Sequence, residues 1–484
     1  MTPIDPVKEA PAEAVGGFAS PSFVTSGATS GAHVQARNQA RVLSWFGDPV
    51  LVKRVMILAW PVVLEQTLFA VVGLTDTYVV GHLSAAALAA VGLSNQTINL
   101  MAAVFGAVAT GSLAVVARQI GARERAEASR TTQQSILTAG LIGAVLTIVA
   151  LILAPQLMLL LGAEAAVATV GAEYLRISAL TFILLPVLFV GNAILRGSGD
   201  TRTPMKIMIV VVLLNAGLAL YLTRGAPNMG SNGPAAASMI ARGLGGLLVL
   251  RALWRGRGGV RLPHEWPRFH WPVIKRVLKI GLPAGLEQLL LQGALVAMTM
   301  TITSLGTAAY AAHQVGLNLM SMSYLPGWGF AVAATTLVGQ FLGAQEPEKS
   351  KASGYISYKL AFVIMLIGGV LLFIFAEPLM RAFVPGDAVV IAYGIDLIHI
   401  SAFIQPIMAA SFVFSGSLRG AGDTRTTLFI TVGAIWITRV PLAYLLTRAF
   451  DLNGAWLAIG SDFGVRACLF WLRFRSGKWQ KIKV

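Results

Sequence analysis

Apolar runs of about twenty residues, repeated twelve times, dominate this sequence. A helix needs roughly 20 such residues to cross the hydrocarbon of a bilayer. The runs lie near 54–80, 87–114, 132–154, 168–195, 204–223 and 233–253, then near 275–303, 308–338, 354–376, 390–418, 426–447 and 454–472. Only 12% of the residues are charged and the mean hydropathy is +0.72, whereas a water-soluble domain carries about 25% charged residues. The 50 glycines suit helices that must approach one another closely in lipid. The expected fold is therefore all-α: a polytopic membrane protein with twelve transmembrane helices.

The net charge of +16 does not mark a nucleic-acid partner, because the cations cluster between apolar runs and not along one soluble face. With the N-terminus placed in the cytoplasm, 30 of the 37 Lys and Arg residues fall on the cytoplasmic side, and only Arg224, Arg381 and Arg448 fall outside. Such a bias, kept through twelve alternations, fixes the orientation by the positive-inside rule. Both termini are then cytoplasmic, in a cell inner membrane. Residues 1–48 are rich in Ala, Gly, Ser, Thr and Pro in place of a continuous apolar segment. They are expected to form a disordered cytosolic tail with no cleaved signal peptide. The one cysteine, Cys468, permits no disulfide or Cys-based metal site within the chain.

The chain also repeats itself. Leu195 to Thr203 reads LRGSGDTRT and Leu418 to Thr426 reads LRGAGDTRT. Pro61, Glu65 and Gln66 recur as Pro283, Glu287 and Gln288, and Gly121-Ala122 recurs as Gly343-Ala344. Because each half holds an even number of spans, both halves enter from the same side and are related by an axis along the membrane normal. The division is an N-lobe over 49–254, a basic cytosolic linker over 255–272, a C-lobe over 273–475 and a basic tail over 476–484.

Ionisable side chains inside hydrocarbon cost about 2.5–3.5 kcal/mol on insertion scales and signal function by default. The first span carries Glu65 and Asp76. Eleven residues at 100° each bring them within 20° of one another, roughly 16 Å apart along the axis, with Phe69 and Val72 between. That face should look into a wet cavity. Burial raises the pKa of a carboxyl group, so such a group can load and release H⁺ near neutral pH, or hold Na⁺ beside other oxygens. Both suit an antiporter, and Asp76 and Glu65 are the candidate cation-coupling residues. Met298 stands opposite Asp76 in the second half, which concentrates coupling in the N-lobe. Glu287 and Gln288 are candidates for contacting a cationic substrate or for locking the lobes together. Asn95, Asn99, Asn192, Asn215 and Gln314 are further candidate substrate contacts, although most amides in spans join helix to helix.

Glu173 and Arg176, three apart, are expected to pair, with Asp396 and His399 at the matching positions. The two GDTRT stretches read as charged clasps between helices, lacking the spacing of a phosphate-binding loop. Pro326, Gly327 and Gly329 mark a hinge or a kink in the eighth span.

The duplicated LRGxGDTRT motif, Thr75-Asp76-Thr77 with Gly81-His82-Leu83, Gly281 to Gln288, Ala311 to Gln314, and Gln340 to Ala344 resemble the multidrug and toxic compound extrusion (MATE) family over about residues 50–475. The resemblance implies two pseudo-symmetric six-helix lobes exchanging small organic cations for H⁺ or Na⁺, with Asp76 at the coupling or substrate position and Asn215 at a polar position after the motif. Na⁺ would be held at Asp76. Phe403 to Met408 lack the acid that sodium-coupled members carry in the tenth span, which favours H⁺. Beyond that ion no cofactor is expected. The partners are the substrate and the bilayer, and the chain acts as a monomer. Two rivals stand beside this reading. A lipid-linked oligosaccharide flippase would line its cavity with Arg or Lys, for which Arg176, Arg242, Arg439 and Arg466, taken to lie near span ends, are the candidates. A membrane-embedded enzyme would need a catalytic cluster that the sequence lacks.

Overall fold

A computed structural model describes residues 46–81, 85–160, 165–224, 229–263 and 269–482, apart from a few side chains, chiefly those of 73–90. Most of residues 1–48, where the N-terminal tail is expected, lies outside this range. Lipid offers the backbone no hydrogen-bond partner, so a spanning segment must satisfy its own. The described residues accordingly form helices and no strands.

In the first half these are α1 (Pro49–Gly81), α2 (Ala85–Gly121), α3 (Arg125–Leu160), α4 (Ala165–Ala179), α5 (Leu185–Ser198), α6 (Arg202–Arg224) and α7 (Gly233–Trp254). The second half holds α8 (Trp271–Thr303), α9 (Thr307–Gly343), α10 (Pro347–Ile374), the short α11 (Ala376–Phe383), α12 (Ala388–Gly420), α13 (Thr424–Gly433) and α14 (Val440–Arg475).

Ten of these segments are long and apolar enough to cross a bilayer on their own. An eleventh crossing is α4 with α5, bent by 44° where a 3₁₀ turn, Leu180–Ile183, precedes Pro186. The twelfth comes from Thr424–Arg475, whose 52 residues would make a rod of about 78 Å, far beyond one bilayer. The chain reverses inside it. Asp451 has φ 53°, and a Cβ built on Gly454 would lie 2.2 Å from the carbonyl oxygen of Leu446, which a straight helix would hold about 12 Å away. Side chains such as Leu213 and Ile437, 69% and 77% exposed, face outward as lipid contacts do.

The two halves interlock. One apolar core is built mainly from α2 to α7 and the other from α9 to α14. Leu51, Val55 and Leu58 at the start of α1 belong to the second core, and Val277 and Ile280 at the start of α8 belong to the first. Where α2 and α9 cross, side chains have no room. A Cβ on Gly121 would meet the Gln340 carbonyl oxygen at 1.9 Å, and one on Gly343 would meet that of Arg118 at 1.9 Å. The recurring Gly-Ala pair therefore marks the pseudo-symmetric contact of the lobes.

The stretch expected to hinge or kink at Pro326 is closely packed. α9 runs through the proline, with Gly327 pressed against Met365 and Gly329 against Val63. The basic segments are docked. Leu262 of the linker is buried, and His270 donates its backbone N–H to Gln134 Oε1 at 2.9 Å. In the tail, Trp479 is buried and stacked on Phe474 at 4.7 Å.

Candidate functional site

The duplicated motif builds the same turn twice. Gly199 and Gly422 adopt φ of 97° and 85°, the left-handed region that glycine enters without a Cβ penalty. Asp200 then accepts from the backbone N–H and the hydroxyl of Thr203, at 3.0 and 2.6 Å, as an acid does at a helix start. Asp423 accepts from the Thr426 hydroxyl at 2.6 Å and from Arg473 Nε at 2.8 Å. The clasp expected from the sequence is present in both halves.

Its arginine reaches deeper. Arg196 Nη2 donates to Glu65 Oε1 at 2.6 Å, and Arg419 Nη2 to Glu287 Oε1 at 2.7 Å. Both carboxylates are buried. Each pair joins the first helix of a half to the motif of that same half, so Glu287 does not lock the lobes together. The pairing was legible, since acid and arginine recur at nearly one offset. Spacing within a helix gave no hint of it.

The two carboxylates differ in what else they touch. Glu287 also accepts from the hydroxyl of Thr431 at 2.7 Å and of Thr427 at 3.4 Å. Among the described residues, Glu65 has besides Arg196 the Asn192 amide at 3.4 Å. Its Oε2 and Asn192 Oδ1 are buried with no hydrogen-bond partner among the described residues. Glu65, Gln66, Phe69, Asn192 and Arg196 line a cavity of about 70 Å³, room for a water or two. A proton entering there would neutralise Glu65 and leave Arg196 without its counter-charge.

The other candidates are dispersed. α1 continues through Asp76, but that side chain lies outside the described residues. Asn215 is buried and bonds Ser238 at 2.9 Å, joining α6 to α7. Asn95 lines a small polar recess with Ser238 and Arg242. Asn99 and Gln288 are exposed. Gln314 is exposed as well and donates to the Tyr310 hydroxyl at 2.6 Å. No three His, Cys, Asp or Glu side chains converge as a metal site among the described residues.

Two expectations are overturned. Glu173 and Arg176 form no ion pair among the described residues. Glu173 accepts from Asn232 and Arg176 donates to the Leu151 carbonyl, both at 3.4 Å. In the second half Asp396 likewise accepts from Asn453, at 3.2 Å, and His399 stacks on Phe373. Each acid thus reaches across to the start of the last span in its half. Arg242, Arg439 and Arg466 do not lie near span ends either; each stands two turns or more inside its helical segment. Arg439 sits in a π-helical turn and donates to Asp462 Oδ2 at 2.5 Å, and Arg466 donates to the same oxygen at 2.6 Å. Arg439, Asp462 and Arg466 are buried, and the Phe463 ring faces both guanidiniums at 5.5 and 4.2 Å.

At the end where the motif turns lie, the lobes are bonded to each other. Gln340 of α9 donates to the Gly197 carbonyl at 3.0 Å and accepts from Arg54 at 3.2 Å. Thr336 donates to the Arg196 carbonyl at 3.1 Å. The residue that neutralises Glu65 is therefore also held, through its backbone, by the opposite lobe.

A twofold-repeated helical bundle that spans a bilayer and seals ion-paired carboxylates among its helices has the architecture of a membrane transporter. The MatE family model matches residues 61–221 and again 283–445, once in each half. Probable multidrug resistance protein NorM of Thermotoga maritima is 30% identical over 439 residues, covering 90% of this chain and 94% of the relative. Uncharacterized transporter YisQ of Bacillus subtilis is 26% identical over 428 residues, covering 87% and 94%. Among solved structures, a MOP superfamily transporter from Pyrococcus furiosus shares the fold with a TM-score of 0.83 at 23% identity, over 90% of this chain and 97% of that one. An outward-facing multidrug resistance MATE family transporter does so with a TM-score of 0.83 at 24% identity, over 88% and 95%. The chain belongs to the MATE family; it is a multi-pass membrane transporter and not an enzyme.

Proposed function

We propose that this protein exports small organic cations, multidrug compounds among them, from the cytoplasm in exchange for H⁺, or for Na⁺, by alternating access between its lobes. The observation that carries this reading is Glu65, a buried carboxylate with one oxygen on Arg196 and the other without a partner among the described residues, beside a small cavity. Loading a cation there weakens the hold on Arg196, whose turn rests on α9 of the opposite lobe. Charge at one carboxylate thereby biases the contact between lobes. Asp76, three turns further along α1, is the second coupling site and the place for Na⁺ if Na⁺ is used. Asn95, Asn99, Asn192, Asn215, Glu287, Gln288 and Gln314 supply polar contacts to substrate.

The charge asymmetry supports an inner-membrane orientation with cytoplasmic termini, and the protein works as a monomer. Multidrug resistance in the names of relatives supports the substrate class. Coupling requires only that ion and substrate change each other's affinity reciprocally. Dye efflux from cells carrying Glu65→Gln or Asp76→Asn tests the assignment. Efflux should fall at least tenfold at normal expression, and unchanged efflux in both variants would remove the two carboxylates from the mechanism.

The buried Arg439 and Arg466 favour a second reading, a flippase for lipid-linked anionic headgroups. Liposomes carrying the purified protein separate the two: a flippase moves such a lipid and leaves a cationic dye behind.

A further inference from the structure

One face of α8 changes character along its length. Lys275, Lys279, Leu282, Leu286 and Leu289 follow one another at spacings of four and three, so they form a single stripe that is cationic for about its first turn and apolar for about the last two. Two adjoining hollows follow the same division. A cavity of about 460 Å³ is lined by Lys275, Arg276, Lys279 and Arg425. An apolar groove of about 610 Å³ begins at the same Arg425 and runs between Leu282, Leu286 and Leu289 of α8, Phe429 of α13 and a floor of Ala103 and Ala107 from α2.

Lysines near helix ends are ordinary in membrane proteins, but these four cations converge on one hollow, and none has an ion-pair partner among the described residues. The one acid in the cavity, Asp423, is already paired with Arg473. The first half lacks a matching set. It has Lys53 and Arg202 at corresponding positions but Ile57 and Thr67 where Lys279 and Leu289 stand, and its Arg54 is drawn to Gln340.

We propose that the two hollows together bind one anionic phospholipid. Its phosphodiester headgroup lies among Lys275, Lys279 and Arg425, and an acyl chain lies along the groove between the two lobes. Charge complementarity selects the headgroup. The exposed leucines and Phe429, 73% exposed, select a ligand with a chain over a free anion.

Native mass spectrometry of the full-length protein in detergent, titrated with phosphatidylglycerol or phosphatidylcholine, tests this. One phosphatidylglycerol should be retained at least tenfold more tightly than phosphatidylcholine. The preference should vanish in Lys275→Gln/Lys279→Gln/Arg425→Gln and persist in the control Lys349→Gln/Lys351→Gln. Leu286→Trp, which fills the groove and leaves the charges, should weaken retention as well. If the triple variant aggregates, Lys279→Gln alone should lower the preference at least threefold. The proposal is overturned by equal retention of both lipids, by a preference that survives the cavity variants or Leu286→Trp, by loss in the control, or by full displacement with millimolar inorganic phosphate.

Discussion

Glu65 and Glu287 occupy equivalent positions, yet they are solvated differently by the protein. Glu287 is bound by one guanidinium and two hydroxyls, all from its own half. Replacing it strands Arg419 in the interior, and breaking a buried pair from one side costs about 3–5 kcal/mol. Glu287→Gln is therefore expected to lower the melting temperature in detergent more than Glu65→Gln does, while the coupling defect follows Glu65. Asp462 makes a sharper case, because one carboxylate serves two buried arginines. Asp462→Asn leaves both unneutralised and should destabilise by at least that ~3–5 kcal/mol. Arg439→Gln leaves a balanced Asp462–Arg466 pair and should be tolerated far better. Thermal unfolding of the two variants decides the order; a more stable Asp462→Asn would show that the triad is not held by charge.

The crossing of α2 with α9 belongs to the element scale. Each helix presents a glycine to the other's backbone, and a larger side chain forces the lobes apart at that end. Gly343→Leu should cost about 1–3 kcal/mol as an overpacking change and reduce transport severalfold. Gln340→Ala, which removes the bridge from Arg54 to Gly197, should loosen the same contact without a clash. Cysteine reactivity at the turns, in a Cys468→Ser background, would report both. The helices, the duplication and the clasp were legible in the sequence, because apolar run length, recurrence and Gly-Asp turn chemistry are local signals. The pairing of Glu173 with Asn232, the sharing of Asp462 by Arg439 and Arg466, and the exchange of the α1 and α8 starts between cores were not. Each depends on which helices become neighbours, and residue spacing along one helix does not encode that.

For the whole molecule, the repeat supplies one shape twice and the charged side chains make the copies unequal. Among the described residues, the N-lobe keeps a carboxylate oxygen without a partner beside a cavity, and the C-lobe keeps a surplus of buried guanidinium charge. On the proposed mechanism, that division assigns ion coupling to the first half. The orientation is tested separately. In the Cys468→Ser background, Glu348→Cys should react with a membrane-impermeant maleimide only in inside-out vesicles, and Arg381→Cys only in intact cells; the reverse pattern would invert the topology. On the proposed mechanism, the charge on Glu65 governs exchange. This is tested most directly by purified protein in liposomes, with a cationic dye and an imposed pH gradient or an imposed Na⁺ gradient. We predict dye movement driven by the pH gradient in the native protein and reduced at least tenfold in Glu65→Gln. Gradient-driven movement of equal size in that variant would contradict the account.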